Sequence, residues 1–165
     1  MINSSSPDIV FTGDDLKAIM RRYPTGVTVV TTTWNGVYYG LTVNAFTSLS
    51  LEPPLVLIAI DKRAHSHDAI KKAGVYAVNI LPHDAEQLAV RFAEAPQERR
   101  FEGLKLLRGA TGAPILADAL AYLDCKVEAE YPGGDHTIFV GRVVEGKVLN
   151  DKPPLVYYNR GYRAL

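Results

Sequence analysis

The sequence predicts a mainly β fold in which an antiparallel sheet of six or seven strands closes into a small barrel, with a few short helices beside it. Two turns support this prediction. Asn35-Gly36, set between β-branched and apolar runs, is typical of a type I′ hairpin turn. Pro132-Gly133-Gly134-Asp135 separates a second pair of strand-like runs. So many linked hairpins favour closure over an open two-layer sheet.

The composition is that of one globular domain. Within the 165 residues we expect a flexible leader at 1–11 and a single domain at 12–165. Apolar residues make up 47% and charged residues 22%, which excludes a disordered chain. Lys plus Arg equals Asp plus Glu at 18 each, so no net field attracts nucleic acid or a membrane surface.

Nothing in the sequence predicts membrane insertion or export. No apolar run approaches the roughly 20 residues that span a bilayer. The first residues contain neither a basic segment nor an apolar signal core. The single cysteine, Cys125, excludes an intrachain disulfide and fits a reducing compartment, so we expect a cytoplasmic protein.

The first predicted element is a helix that begins at Thr12, with Asp15 placed to complete a capping box. Pro24 and Gly26 end it. Its apolar stripe has helical spacing. The stripe consists of Leu16, Ile19, Met20 and Tyr23.

The remaining elements alternate between strands and short helices. The predicted strands are 27–33, 37–46, 55–60, 75–81, 120–130, 137–144 and 155–158. A helix is predicted around 66–73, and another runs through Phe92 with Asp84 as its cap. Residues 94–113 have little periodicity and read as a surface excursion or a lid.

Polar side chains cluster where the predicted strand 37–46 ends. Buried strands rarely carry so many, because each unpaired group costs about 1–3 kcal/mol. The cluster either belongs to an edge strand that faces water or forms a surface on which a flat polar heterocycle binds. Its members are Thr42, Asn44, Thr47, Ser48 and Ser50.

A second candidate site precedes the helix at 66–73. Lys62 and Arg63 stand just before it and Ser66 lies in its first turn, a pattern that suits a phosphate at a helix N-terminus. A metal pair from His65 and His67 and a solvated basic loop are the alternatives.

His136 is the third candidate, because the turn needs its glycines but not this imidazole. It either presents a group to a ligand or fills space at the start of a strand. Cys125 reads as a buried, inert thiol. The sequence has no Gly-x-Gly-x-x-Gly, Walker or Gly-x-Ser-x-Gly motif, so nothing supports a Rossmann, P-loop or hydrolase reading.

Five stretches together resemble the flavin reductase family, the small partners of two-component flavin-dependent monooxygenases. They are PTGVTVVT at 24–31, GLTVNAFTSLSLEPPLV at 40–56, GGDH at 133–136, PLVYY at 154–158 and RGYR at 160–163. The tail in particular resembles the reductase components of 4-hydroxyphenylacetate 3-monooxygenases. The likeness keeps its order from about Asp14 to the C-terminus.

The resemblance implies an FMN-binding split barrel, a homodimer, and reduction of FMN or FAD by NADH or NADPH for a partner monooxygenase. It implies that His136 is catalytic, by orienting the nicotinamide or supplying a proton. Ala45 stands where relatives often have Ser, which would alter flavin affinity modestly. The implied cofactor-binding residues are Thr25, Thr42, Asn44, Ala45, Phe46, Thr47, Ser48 and Ser50 at the flavin ring and ribityl chain, Lys62, Arg63, Ser66 and His67 at the phosphate, and Gly134, Asp135, His136 and Tyr162 on the nicotinamide side.

Two other functions fit the same features. One is a flavin-binding electron carrier of the same barrel without nicotinamide turnover. The other is a split-barrel oxidase or haem-binding relative, for which an axial ligand would be expected. Consumption of NADH and the visible spectrum of the purified protein would separate these from a reductase.

Overall fold

The computed structural model describes residues 10–165. The predicted leader at 1–11 falls mostly on residues 1–9, which lie outside the described part. The described elements are α1 (Gly13–Met20), β1 (Thr25–Gly26), β2 (Thr28–Trp34), β3 (Val37–Val43), β4 (Phe46–Leu51), β5 (Pro54–Asp61), α2 (His65–Ala73), β6 (Val75–Ile80), α3 (Glu86–Glu94), a 3₁₀ turn (Gln97–Arg99), β7 (Leu106–Arg108), β8 (Pro114–Leu116), β9 (Ala121–Gly133), β10 (His136–Val148), β11 (Leu155–Tyr158) and β12 (Gly161–Ala164).

Seven strands form one antiparallel sheet in the order β3-β2-β6-β9-β10-β5-β4. Its two outer strands, β3 and β4, are consecutive in the chain and are joined by Asn44 and Ala45 alone. The three Cα–Cα steps from Val43 to Phe46 span at most about 11 Å, so the end of one edge lies beside the start of the other. The sheet therefore curls into a barrel that stays open along a seam, which confirms the predicted strand number and the closure.

The barrel interior is apolar. Side chains from opposite walls pack together there, and Ile70 of α2 closes the set at one end. Full burial of such side chains is the main stabilising contribution, about 1.5–3 kcal/mol each. The cluster consists of Val30, Val43, Val56, Ile58, Ile60, Ile70, Tyr76, Val78, Cys125 and Phe139.

A second apolar cluster lies outside the sheet, where α3 packs with Phe92 against Val27, Val29 and Leu155. The segment after α3 covers the open edge of β3. Gln97 Nε2 donates to the Tyr38 carbonyl and Arg100 Nη1 to the Gly40 carbonyl, each at 2.8 Å. The predicted lid is thus bonded to an edge strand, which hides carbonyls that could otherwise pair with another chain.

Several element boundaries differ from the predictions. The predicted strand 37–46 is two strands, because the backbone turns at Asn44 and Phe46 N donates to the Asn44 carbonyl at 2.9 Å. Asp84 does not cap α3, whose N-cap is Ala85. The Asp84 carboxylate instead accepts a hydrogen bond from Lys152 Nζ at 2.8 Å. The C-terminal residues form β12, which pairs with β11 and was not predicted.

The first helix has its predicted N-cap, with the Thr12–Asp15 capping box complete. It ends at Met20 with Arg21 as its C-cap, before the predicted stop at Pro24 and Gly26. Its apolar stripe, however, stays largely exposed within the described chain. Leu16 and Ile19 remain 52% and 58% exposed. Among residues 10–165, no helix is long and apolar enough to cross a membrane.

The packing at Gly40 gives a stability prediction. A Cβ at this position would lie 2.7 Å from Phe92 Cε1 and 2.9 Å from Phe101 Cζ. Gly40→Ala should therefore lower the free energy of unfolding by about 1–3 kcal/mol, measured by urea denaturation. Gly13→Ala, where nothing lies within 4 Å of the new Cβ, is the control and should not lower it. Equal stability of the two variants would contradict the packing.

Candidate functional site

The candidate site lies at the seam, around the two-residue link between β3 and β4. Ala45 is exposed, and its carbonyl accepts a hydrogen bond from Ala59 N at 3.0 Å. That bond ties the link to β5, the strand that leads into the predicted phosphate loop. Asn44 is half-buried, so its side chain points inward from the seam.

A few buried side-chain oxygens among residues 10–165 have no protein partner. Within the described chain they are Thr25 Oγ1, Asn44 Oδ1, Ser66 Oγ and Gln97 Oε1. The first three belong to the residues that the sequence predicts at a cofactor. An unpaired buried polar group costs about 1–3 kcal/mol. Such groups persist where a ligand, an ion or water supplies the missing hydrogen bond.

The start of α2 is suited to an anion. Ser66 is 2% exposed and lies in the first turn, and the N-cap residue Ala64 makes no side-chain cap bond. The first N–H groups of the helix, a hydroxyl and the exposed Lys62 therefore lie close together. This combination is typical of a phosphate site at a helix N-terminus.

Arg63 is directed elsewhere. Its Nη2 and Nε donate to the Asp61 carboxylate at 2.9 and 3.2 Å, and its backbone N–H donates to Asp61 Oδ1 at 2.8 Å. These bonds from Arg63 hold the pKa of Asp61 well below its usual range. These bonds occupy the Arg63 guanidinium in this conformation, although its side chain is 85% exposed. Its contact with a phosphate stays a prediction.

His67 supports the sheet and does not line the anion site. Its side chain is buried, with Nε2 2.7 Å from Thr137 Oγ1 and Nδ1 3.0 Å from Asp68 Oδ1. Its ring packs edge-on against Phe139 with centroids 5.5 Å apart. His67 thus departs from its predicted place at the phosphate, because α2 turns it inward while His65 faces solvent. No group of three or more His, Cys, Asp or Glu side chains in the described range could hold a metal ion.

The hairpin turn brings His136 next to the anion site. His136 pairs with Asp61 across β10 and β5, and Lys62 N donates to the Asp135 carbonyl at 2.9 Å. The imidazole Nδ1 lies 2.7 Å from Asp135 Oδ1, and this hydrogen bond lowers the pKa of Asp135. Nε2 has no protein partner among residues 10–165, and the ring is 40% exposed. Gly134 supplies the positive φ of 64° that the turn requires.

The other strand-end residues divide between two faces. Thr42 points to α3, where its hydroxyl donates to the Ala89 carbonyl at 2.5 Å, so it does not line the seam as predicted. Phe46 packs against the interior cluster. Thr47 and Ser48 are exposed, and Ser50 is half-buried beyond a bulge in β4.

Tyr162 packs in the apolar cluster around α3. Its ring packs on Tyr157 with centroids 5.3 Å apart, and both belong to the cluster around α3. Burial raises the pKa of Tyr162. No hydrogen bond among residues 10–165 joins Tyr162 to the turn at Gly134, and its place on the nicotinamide side stays a prediction.

Cys125 is fully buried, and burial raises the pKa of its thiol to about 12. It is an inert core residue, as predicted.

Sequence reasoning missed Asp61. This carboxylate holds Arg63 and stands opposite His136, so it organises the loop between β5 and α2. A signal was present, because an Asp two residues before an Arg can accept the backbone N–H of that Arg in an Asx turn. Its position opposite His136 depends on strand pairing and is not readable from the sequence.

Several known proteins are similar to this chain. Residues 20–165 match the family described as flavin reductase like domain. A 4-hydroxyphenylacetate 3-monooxygenase reductase component from Thermus thermophilus is 42% identical over 90% of this chain and 94% of its own length. An NADH-dependent flavin reductase from a Rhodococcus species is 41% identical over 91% of this chain and 85% of its own. The crystal structure of flavin reductase HpaC complexed with NADP+ superposes with a TM-score of 0.87 at 41% identity, and it covers 93% of this chain and 98% of its own.

Because the Ser66 hydroxyl has no protein partner, its removal should affect stability differently from removal of the hydrogen-bonded Thr32 hydroxyl. Ser66→Ala should leave the free energy of unfolding unchanged or slightly higher, because no protein hydrogen bond is lost. Thr32→Val should lower it by about 1 kcal/mol, because Thr32 Oγ1 donates to the Val75 carbonyl at 2.7 Å. Adding FMN should raise the melting temperature of the wild type more than that of Ser66→Ala. A large loss of stability in Ser66→Ala without ligand would show that the hydroxyl has a structural partner.

Proposed function

This chain belongs to the family of flavin reductase like domains, and from that membership we propose that it reduces FMN or FAD with NADH or NADPH and supplies the reduced flavin to a separate monooxygenase. Its main support is the set of buried, unpaired oxygens on three of the predicted flavin-binding residues. They come from Thr25, Asn44 and Ser66, which lie on different elements and share no structural hydrogen bond. A ligand that satisfies all three would recover their desolvation cost.

The residues present fit a flavin. Asn44 Oδ1 is an acceptor for a ring N–H, and the Thr25 hydroxyl can donate to or accept from the polar edge of the ring. Ser66, the first N–H groups of α2 and Lys62 suit the phosphate. Exposed Ala45, Thr47 and Ser48 leave room for a flat ring to lie against the strand end.

When both cofactors are bound, the nicotinamide supplies a hydride and the flavin accepts it, so the cofactors carry the bond changes. The protein has to hold the two rings together and exclude other orientations. Donors at the seam favour negative charge on the polar edge of the acceptor ring. Thr25 and the backbone N–H groups of the link between β3 and β4 are placed to act in this way.

We assign the nicotinamide side to His136. Asp135 lies against Nδ1, which favours the tautomer with a proton there and leaves Nε2 free to bind the carboxamide or ribose. The hydrogen bond between Lys62 N and the Asp135 carbonyl fixes the turn relative to the anion site. His136 thus positions the donor and can hold a proton at Nε2.

The open site suits a flavin that is released after reduction. A micromolar dissociation constant corresponds to about −8 kcal/mol, which a shallow site can supply. A separate oxygenase could then take up the reduced flavin. Relatives such as the reductase component from Thermus thermophilus support a monooxygenase as the partner.

We further propose that the chain forms a homodimer through the first helix and the residues before it. Val10, Phe11, Leu16 and Ile19 are 75%, 61%, 52% and 58% exposed. So many large apolar side chains on one short segment are costly in water and mark an interaction surface. A net charge of zero offers little repulsion between copies.

His136→Ala tests the catalytic assignment. NADH oxidation with excess FMN should fall about a hundredfold or more, because the donor ring loses its positioning group. FMN affinity, measured by flavin fluorescence, should stay within about twofold, since the residues at the seam are untouched. The matched control is His83→Ala, whose side chain makes no hydrogen bond in the described structure. Unchanged turnover in His136→Ala would remove His136 from the mechanism, and absence of NADH oxidation by the wild type would favour an electron carrier.

Ile19→Glu tests the dimer. Light scattering after size exclusion should give twice the chain mass of 18.1 kDa for the wild type and the monomer mass for Ile19→Glu. A buried, unpaired carboxylate at the contact costs several kcal/mol, which is enough to separate the copies at micromolar concentration. Arg22→Glu, on an exposed residue beyond the helix, is the control and should remain dimeric. A wild type that runs as a monomer would contradict the proposal.

A further inference from the structure

A groove of about 260 Å³ lies between the end of α1 and the turn that joins β11 to β12. It shares α1 with the proposed dimer surface but contains none of the residues assigned to the flavin or the nicotinamide, although β1, which carries Thr25, pairs with β11 beside it. The side chains that matter here are Lys17, Arg21, Tyr23, Tyr157, Tyr158 and Arg160.

The groove is positively charged. Lys17, Arg21 and Arg160 contribute cations, and no carboxylate lines it. In the described chain none of the three takes part in an ion pair or donates a side-chain hydrogen bond. The protein as a whole has no net charge, so this concentration of cations is local. Converging, unpaired cations in a concave site are suited to an anion.

The groove is also aromatic. Tyr157 and Tyr158 line it and are half-buried, with the Tyr157 ring also packed on Tyr162, and Tyr23 is 63% exposed. Their hydroxyls make no hydrogen bond in residues 10–165. Tyrosine rings offer faces for stacking and hydroxyls for polar contacts, and a guanidinium can stack on the same ring. A flat aromatic group would therefore fit beside the cations.

The turn holds Arg160 in an unusual backbone conformation. Asn159 and Arg160 have φ values of 49° and 61°, between the paired residues Tyr158 and Gly161. Such a two-residue turn favours Asn at its first position and Gly at its second. Arg in the second position is strained, and strained backbone is concentrated at ligand sites. This turn carries the Arg160 side chain to the groove.

We propose that this groove binds an aromatic anion, a planar ring that carries a phosphate or a carboxylate. Arg21 and Arg160 pair with the anionic group and the tyrosines contact the ring. Three cations favour a phosphate, which carries a charge of about −1.5 to −2, over a carboxylate. The source is either the adenylate half of a dinucleotide or a small aromatic acid. The site does not depend on the proposed reductase activity.

Calorimetric titration of the full chain with AMP, adenosine and 4-hydroxybenzoate tests the site. We expect AMP to bind, adenosine to bind at least about tenfold more weakly, and AMP affinity to fall with added salt. Arg160→Gly, which suits the turn, and Arg21→Gln should each weaken AMP by about tenfold. Arg22→Gln, on the adjacent exposed arginine outside the groove, is the matched control and should bind AMP as the wild type does.

Competition identifies the source. Displacement of AMP by FAD but not by FMN assigns the groove to a dinucleotide adenylate. Displacement by 4-hydroxybenzoate but not by FAD assigns it to an aromatic acid. The proposal is overturned if neither AMP nor 4-hydroxybenzoate binds, if both groove variants bind AMP like the wild type, or if FMN displaces AMP. None of these measurements uses turnover, so failure here leaves the proposed reductase activity untouched.

Discussion

The short link between β3 and β4 is the constraint on which the rest of this molecule depends. Asn44 and Ala45 alone connect the two outer strands of the sheet, so the sheet must curl until its edges meet. A longer loop would have allowed an open sheet with two free edges. The same link produces the seam, and the seam is where the inward-facing Asn44 and the exposed strand end of β4 come together. Fold and candidate site therefore have one origin.

The unpaired polar groups of the candidate site lower the stability of the fold, and the well-packed apolar core offsets that cost. Unpaired oxygens on Thr25, Asn44 and Ser66 each oppose folding by about 1–3 kcal/mol. The apolar interior, which includes Ile58, Phe139 and other fully buried side chains, offsets this cost. A site of this kind is pre-organised, since the polar groups need not reorient to meet a ligand.

The loop after β5 connects two parts of the candidate site that are far apart in the chain, the start of α2 and the turn that carries His136. Asp61 holds Arg63 and faces His136 across the strand pair, while Lys62 bonds to the backbone of Asp135. The anion site at α2 and the imidazole turn are thus fixed relative to each other by main-chain bonds. Such bonds are insensitive to side-chain rotation, which suits a site where two rings have to be held in contact.

The sequence by itself determined the local features: the capping box at Thr12, the hairpin turns at Gly36 and Gly134, and the inert Cys125. It also determined the family, because five motifs occur in order. These depend on neighbouring residues or on apolar patterning, both of which are written in the chain. Only the tertiary structure decided which predicted residues meet. Arg63, His67 and Thr42 each found a partner in the protein through a turn, a helix face or a strand face, and Tyr162 packed beside Tyr157. Those contacts depend on pairing between distant segments, and residue types at a fixed spacing carry no information about such pairing.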